Sequence, residues 1–186
     1  AGTTQAVNSS LELDEVVCIV MDTIGKWTKA ERGFLMLMER QGEMVTHIAR
    51  NWDRESIQAS DYAISHTIVQ QVVQTGDTIL TTNAQEDPRF WNQESIITHN
   101  LRSILCVPLK VKAELIGVLY ADNRIRSGIF TGSDKDLISA FANQAALAIE
   151  NARLFESIRA TLAEVTELKN LMENIGTMKL MITPET

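Results

Sequence analysis

Residues 101–123 run LRSILCVPLKVKAELIGVLYADN, two apolar alternations separated by a short polar turn. In the first, Ser103, Leu105, Val107 and Leu109 fall on one face, with Ile104 and Cys106 on the other. In the second, Leu115, Gly117, Leu119 and Ala121 alternate with Ile116, Val118 and Tyr120. Both faces are largely apolar, which predicts interior strands covered by helices on each side. Pro108 is discordant, because proline cannot donate to a ladder and belongs at an edge or a bulge. The connection 110–114 lacks the Asn-Gly chemistry of a tight hairpin, so a longer loop is expected there.

The flanking sequence supplies the cover. Ser9-Ser10-Leu11-Glu12 has capping-box spacing, and Leu13, Val16, Val17, Val20, Ile24 and Trp27 follow at helical intervals. Residues 33–38 and 43–50 read as strands, with Gln41-Gly42 at the turn between them. Residues 51–61 form a polar loop carrying Trp52. Ile64, Ile68, Val69, Val72 and Val73 give a second helix from Ser65, capped by Gly76. A short β-branched strand is expected over 78–82. A long segment, 83–100, then carries Pro88, Phe90, Trp91 and a helical stretch near 94–97. A loop of that length in a small domain points to function. Ser133, followed by Asp134 and Asp136, predicts the start of the longest helix, running to Ile175 before Gly176 stops it. That is roughly 65 Å at 1.5 Å per residue, far more than a small sheet can cover.

The chain has 186 residues, with 17 basic and 24 acidic side chains and a net charge of −7. No basic cluster offers a nucleic-acid footprint, and no apolar run has the length of a membrane span. Cys18 and Cys106 both sit in apolar runs, as reduced core residues of a cytoplasmic protein would. The opening AGTT, with no initiator methionine, reads as a cloning remnant on an excised fragment, and one module of a longer protein is expected.

In this order and spacing, ERGFLML, the Gln74-Thr75-Gly76 helix stop, DPRF, RSILCVPL, IGVLYADN and FANQAALAIENARLF resemble a GAF domain. The resemblance implies a central antiparallel sheet of about six strands, with the terminal helices on one face and a ligand pocket on the other. Such modules precede bacterial histidine kinases, cyclases, phosphatases and transcriptional activators, and they bind small molecules or chromophores or serve as dimerisation elements.

Cyclic-nucleotide-binding members carry an Asn-Lys…Phe…Asp-Glu motif, matched here by Asn123-Arg124, Phe130 and Asp134-Lys135. The resemblance implies an Arg124–Asp134 ion pair, with Lys135 as a departure from the pattern. By order and spacing it puts Gly33, Arg50, Asn51, Ile68, Val69, Trp91, Ile97, Leu101 and Tyr120 around the pocket, and Arg102 joins them as a contact. Ile97, Leu101 and Tyr120 stand where the nucleotide binders are polar or acidic. Losing hydrogen bonds matched to a base counts against cyclic AMP and cyclic GMP. A covalent bilin needs a suitably placed cysteine followed by histidine, which neither Cys18 nor Cys106 provides. Haem needs an axial ligand, yet His47, His66 and His99 are isolated and read as structural. The family's methionine-sulfoxide reductase works through reactive loop cysteines, and these two are in apolar runs.

The expectation is therefore an α+β, GAF-like antiparallel sheet with helices on both faces and a projecting helix. The parts are a tail over 1–10, a sensor domain over 11–155, a coiled-coil helix over 156–175 and a tail or vector residue over 176–186. The expected role is a non-catalytic, cytoplasmic bacterial sensor with no fixed cofactor, no nucleic-acid partner and no membrane contact. It binds an unidentified small molecule and acts on a covalent output domain downstream. The alternative is a dimerisation module without a ligand. Beyond Leu147 the apolar positions form a heptad, with Asn151, Ile158, Val165 and Met172 at one core position and Leu147, Leu154, Thr161, Leu168 and Ile175 at the other. This pattern predicts a parallel homodimer.

Overall fold

The computed structural model describes residues 13–53 and 63–182; the capping box at 9–12 and most of the 51–61 loop lie outside them. Its elements are α1 (Leu13–Trp27), β1 (Arg32–Met38), β2 (Met44–Asn51), α2 (His66–Thr75), β3 (Ile79–Thr81), α3 (Glu94–Thr98), β4 (Ser103–Val111), β5 (Glu114–Asn123) and α4 (Gly132–Ile182). The strands form one sheet in the order β2-β1-β5-β4-β3, antiparallel throughout. Among the described residues it has five strands, against about six expected.

The alternation in β4 and β5 divides the core as anticipated. Leu105, Val107, Leu109, Leu119 and Ala121 meet α1 and α4 on one face. Ile104, Cys106, Val118 and Tyr120 meet α2 and the 83–100 segment on the other. Pro108 is accommodated because β3 ends opposite Cys106, leaving Pro108 past the end of that neighbour. The turn between β4 and β5 corrects the expected longer loop. It has only two residues, Lys112 (φ 53°) and Ala113 (φ 66°), both left-handed. That conformation costs roughly 1–2 kcal/mol per non-glycine residue, and the long ladder from Ser103↔Asn123 to Val111↔Glu114 offsets it.

The helix ends are built from local chemistry. The Ser65 hydroxyl accepts the Ile68 amide at 3.2 Å, and Gly76 (φ 70°) donates its amide to Val72 O. α4 begins two residues earlier than the Ser133 cap implies. Thr131 Oγ1 accepts the Asp134 amide at 3.2 Å, and Asp134 Oδ2 accepts the Thr131 amide at 2.9 Å, a reciprocal capping box. Gly176 does not stop α4, which continues to Ile182; glycine lowers helix propensity by only about 1 kcal/mol inside a long helix. At 51 residues the helix is roughly 75 Å long. Only its first part packs on the sheet, through Ile138, Ala142, Ala145, Ala146, Ile149 and Ala152. From 157 to 181 every residue is exposed. No helix among the described residues is long and apolar enough to cross a membrane.

Candidate functional site

Among the described residues, the compartment between the sheet and α2 is apolar but for one buried ion pair. Arg32 opens β1 and Asp122 lies directly across on β5. Both side chains are 0 % exposed. Arg32 Nε donates to Asp122 Oδ1 at 2.9 Å and Nη2 to Oδ2, a bidentate pair. Two residues back on the same face of β5, Tyr120 donates its hydroxyl to Asp122 Oδ2 at 2.9 Å. The same hydroxyl accepts the Ser65 amide at 3.5 Å, next to the α2 cap. Phe34 completes the group, its ring under the Arg32 guanidinium at 5.3 Å and edge-on to Tyr120 at 5.9 Å. A polar line thus runs from the start of α2 to the end of the paired strands β1 and β5.

Burial pushes the Asp122 carboxyl above its ordinary range, against the pull of Arg32 and the Tyr120 hydroxyl. Burial also drives the Tyr120 hydroxyl well upward, with the Asp122 charge adding to it. Burial alone raises the Cys106 thiol. Tyr120 and Cys106 are therefore held protonated, a donor and an inert thiol, with no nucleophile made of either.

The predicted site residues divide into groups. Ile68, Val69, Leu101 and Tyr120 are buried in this compartment. Asn51 is buried at the end of β2, its Oδ1 accepting the Asp53 amide. Arg102 is half-buried, and its carbonyl accepts the Ala84 amide. Trp91 and Ile97 lie at the surface, 55 % and 64 % exposed, because Phe90 and Ile96 take the inward positions of that segment. Arg50 lies on the opposite face, where its guanidinium reaches Cys18 Sγ on α1 at 3.5 Å. The twofold strand alternation puts it there, with Ile48. Cys18 is accordingly half-exposed and not a core residue. Gly33 also faces α1, and Trp52 lies against it: a Cβ there would sit 2.4 Å from Trp52 Cη2.

The Arg124–Asp134 pair is replaced. Arg124 makes a bidentate pair with Glu31, Nε to Oε1 at 3.0 Å and Nη2 to Oε2 at 2.7 Å, and its amide adds a third bond. Burial opposes the Glu31 charge, but these bonds hold its carboxyl below the usual range. Asp134 instead serves the α4 cap. DPRF is likewise structural. Asp87 accepts from the amide, Nε and Nη2 of Arg89, whose guanidinium also donates to Leu80 O and lies over the Phe90 ring at 4.9 Å. No group of three metal-ligating side chains occurs among the described residues.

Sequence reasoning missed Arg32, Asp122 and Glu31. The available signal was a charge at either end of an apolar strand, in phase with its buried face.

The GAF domain family model matches residues 12–149. The chain is 28% identical over 162 residues to the "Probable 3',5'-cyclic phosphodiesterase pde-5" of Caenorhabditis elegans, covering 80% of this chain and 22% of that protein. It is 24% identical over 152 residues to the nitrogen fixation protein VnfA of Azotobacter vinelandii, covering 78% of this chain and 29% of that protein. It therefore spans less than a third of either relative. Among solved structures, the GAF domain of an Acinetobacter phosphoenolpyruvate-protein phosphotransferase superposes with a TM-score of 0.62 at 18% identity, over 83% of this chain and 92% of that one. GAF3 of Slr1393 from Synechocystis superposes with a TM-score of 0.64 at 14% identity, over 79% and 99%. These likenesses establish the fold.

Proposed function

The chain belongs to the GAF domain family, and on that premise we propose that it is a non-catalytic regulatory module of a cytoplasmic bacterial signalling protein. It senses a small molecule in the compartment under α2 and passes the signal through a dimeric α4 to an output domain. The observation that carries this reading is the continuity of α4. One unbroken helix is buried against the sheet at Ile149 and Ala152, and it presents Leu154, Ile158, Val165, Leu168 and Met172 to solvent at 53–66 % exposure. An apolar stripe of that length has a partner. The heptad supports a second copy in parallel: β-branched Ile158 and Val165 alternate with Leu154 and Leu168. Glu164 then reaches Lys169 of the partner copy, a pairing that the parallel arrangement permits.

Arg32, Asp122 and Tyr120 make the compartment selective. Any ligand that enters must satisfy groups which already satisfy one another, so an apolar molecule with few matched polar atoms fits best. That same completeness favours the second reading, a dimerisation module with no ligand. Native mass spectrometry of protein purified from its host decides between them. A dimer carrying an added small-molecule mass is the expected result, and a bare dimer selects the dimerisation module. A monomer at micromolar concentration overturns transmission through α4.

A further inference from the structure

Strand β1 starts in the buried ion pair and ends at the point where α4 leaves the domain. Met38, its last residue, offers its carbonyl to the Arg153 guanidinium at 3.2 Å. Glu39 follows, 3.6 Å from the same guanidinium and 3.1 Å from His47 Nε2 across the hairpin. The turn fixes Glu39 itself, whose amide donates to Glu43 O at 2.8 Å and whose carbonyl accepts the Gly42 amide at 2.9 Å. Three residues further along α4, Glu156 Oε1 accepts the Leu13 amide at 3.0 Å. A carboxylate suits that end of α1, where amides carry the positive end of the helix dipole.

These contacts sit at a boundary. Ala152 is the last buried residue among those described in α4, and every residue from 157 to 181 is exposed. At the exit, apolar burial has ended and two polar grips remain, one on the β1–β2 hairpin and one on α1. Grips on two different elements fix a direction, which a single one leaves free to pivot.

The geometry points to Arg153 and Glu156 as positioning residues that set the angle at which the long helix leaves the domain. Breaking them frees the projecting segment to swing while the sheet, α1 and the buried part of α4 stay folded. The device acts on the helix of the proposed sensor, but it requires neither a ligand nor a particular output.

The test is an electron-spin distance measurement on the full chain, in a Cys18→Ser background, with labels at Thr46 on β2 and Glu167 on α4. Labelled chain is diluted into excess unlabelled chain so that only distances within one chain are read. Residue 167 lies about 20 Å beyond the clamp, so a swing of about 15° moves its label by about 5 Å. Arg153→Gln with Glu156→Gln is expected to broaden the distribution by that amount without moving the thermal midpoint. Arg153→Lys, which keeps the charge, narrows it again. The paired control Arg159→Gln with Glu173→Gln, two exposed positions beyond the clamp and off the apolar stripe, leaves it unchanged. An unaltered distribution in the clamp variant overturns the assignment, as does equal broadening in the control. Should the double variant unfold, Arg153→Gln alone carries the same two outcomes. Because no ligand is added, failure here leaves the sensor reading standing, and failure of that reading leaves this one.

Discussion

Replacing Arg32 by methionine keeps an unbranched side chain and removes the guanidinium that pairs with Asp122. Both groups are 0 % exposed, so no solvent takes over the role. Asp122 would retain the Tyr120 hydroxyl bond and lose both guanidinium bonds. Removing one partner of a buried pair costs about 3–5 kcal/mol, because the other charge is left uncompensated. That is a large share of the roughly 5–15 kcal/mol that holds a domain folded. Burial already raises the Asp122 pKa, and loss of Arg32 removes the main opposing pull, so it rises further. The folded variant then binds a proton more tightly than the unfolded chain. Its stability falls as pH climbs from the unfolded carboxylate range towards the raised folded value, and the defect is smaller at acid pH. Urea unfolding at fixed protein concentration, run at acid and neutral pH, measures both effects. Arg32→Met with Asp122→Leu should recover most of the loss, since an apolar pair of matched volume often equals a buried ion pair. A single-variant cost under about 1 kcal/mol would refute the reasoning. So would a double variant no more stable than the single one, which means no coupling.

Arg89 holds the Asp87 carboxyl down at about 2. Its contribution is present above the unfolded pKa and lost as pH falls towards 2. With Arg89 half-exposed, Asp87→Asn should cost about 1 kcal/mol at neutral pH and nothing at the acid end of an unfolding series. Gly33→Ala forces Trp52 aside and should cost about 1–3 kcal/mol, with a shift in tryptophan emission. Thr131→Ala removes the α4 cap and should cost about 1 kcal/mol by urea unfolding. A thiol reagent should label Cys18 in the native state and Cys106 only on unfolding, since one is half-exposed and the other buried; rapid native reaction of Cys106 would contradict its placement.

The fold was legible where one physical effect dominates. Twofold alternation in β4 and β5 divided the core correctly, and the Ser65 and Gly76 caps bounded α2 from local chemistry alone. The β4–β5 turn was not legible, because ladder energy overrode the preference of Lys112 and Ala113. Neither was the partner of Arg124. Asp134 is nearer in sequence, but Glu31 precedes β1 and reaches it only once β1 and β5 are paired. The site suffered the same difficulty. Arg50 and Gly33 belong to the right strands but face the other way; in β2 the phase changes at the extra residue His47, opposite the Leu35–Met36 step of β1, which sets the direction of Arg50.

α4 presents two different faces, small residues to the sheet and large apolar residues to solvent. Successive residues turn by about 100° around a helix. Taking Ile149 as the direction of the sheet, Ala142, Ala145 and Ala152 fall within about 60° of it, and all are buried. Leu147, Asn151 and Leu154 fall about 140–200° away, and the two leucines are 53 % exposed. Ile158, Val165 and Met172 continue that outer direction, about 140–180° from Ile149. The stripe therefore cannot fold back on its own domain by any rotation that keeps the alanines on the sheet. The small residues bring the helix close to the strands, and the large ones run unbroken from beside the domain into the projecting segment. A partner helix lying on that stripe would touch both parts at once, so a change in how the sheet holds α4 would alter its angle or register against that partner.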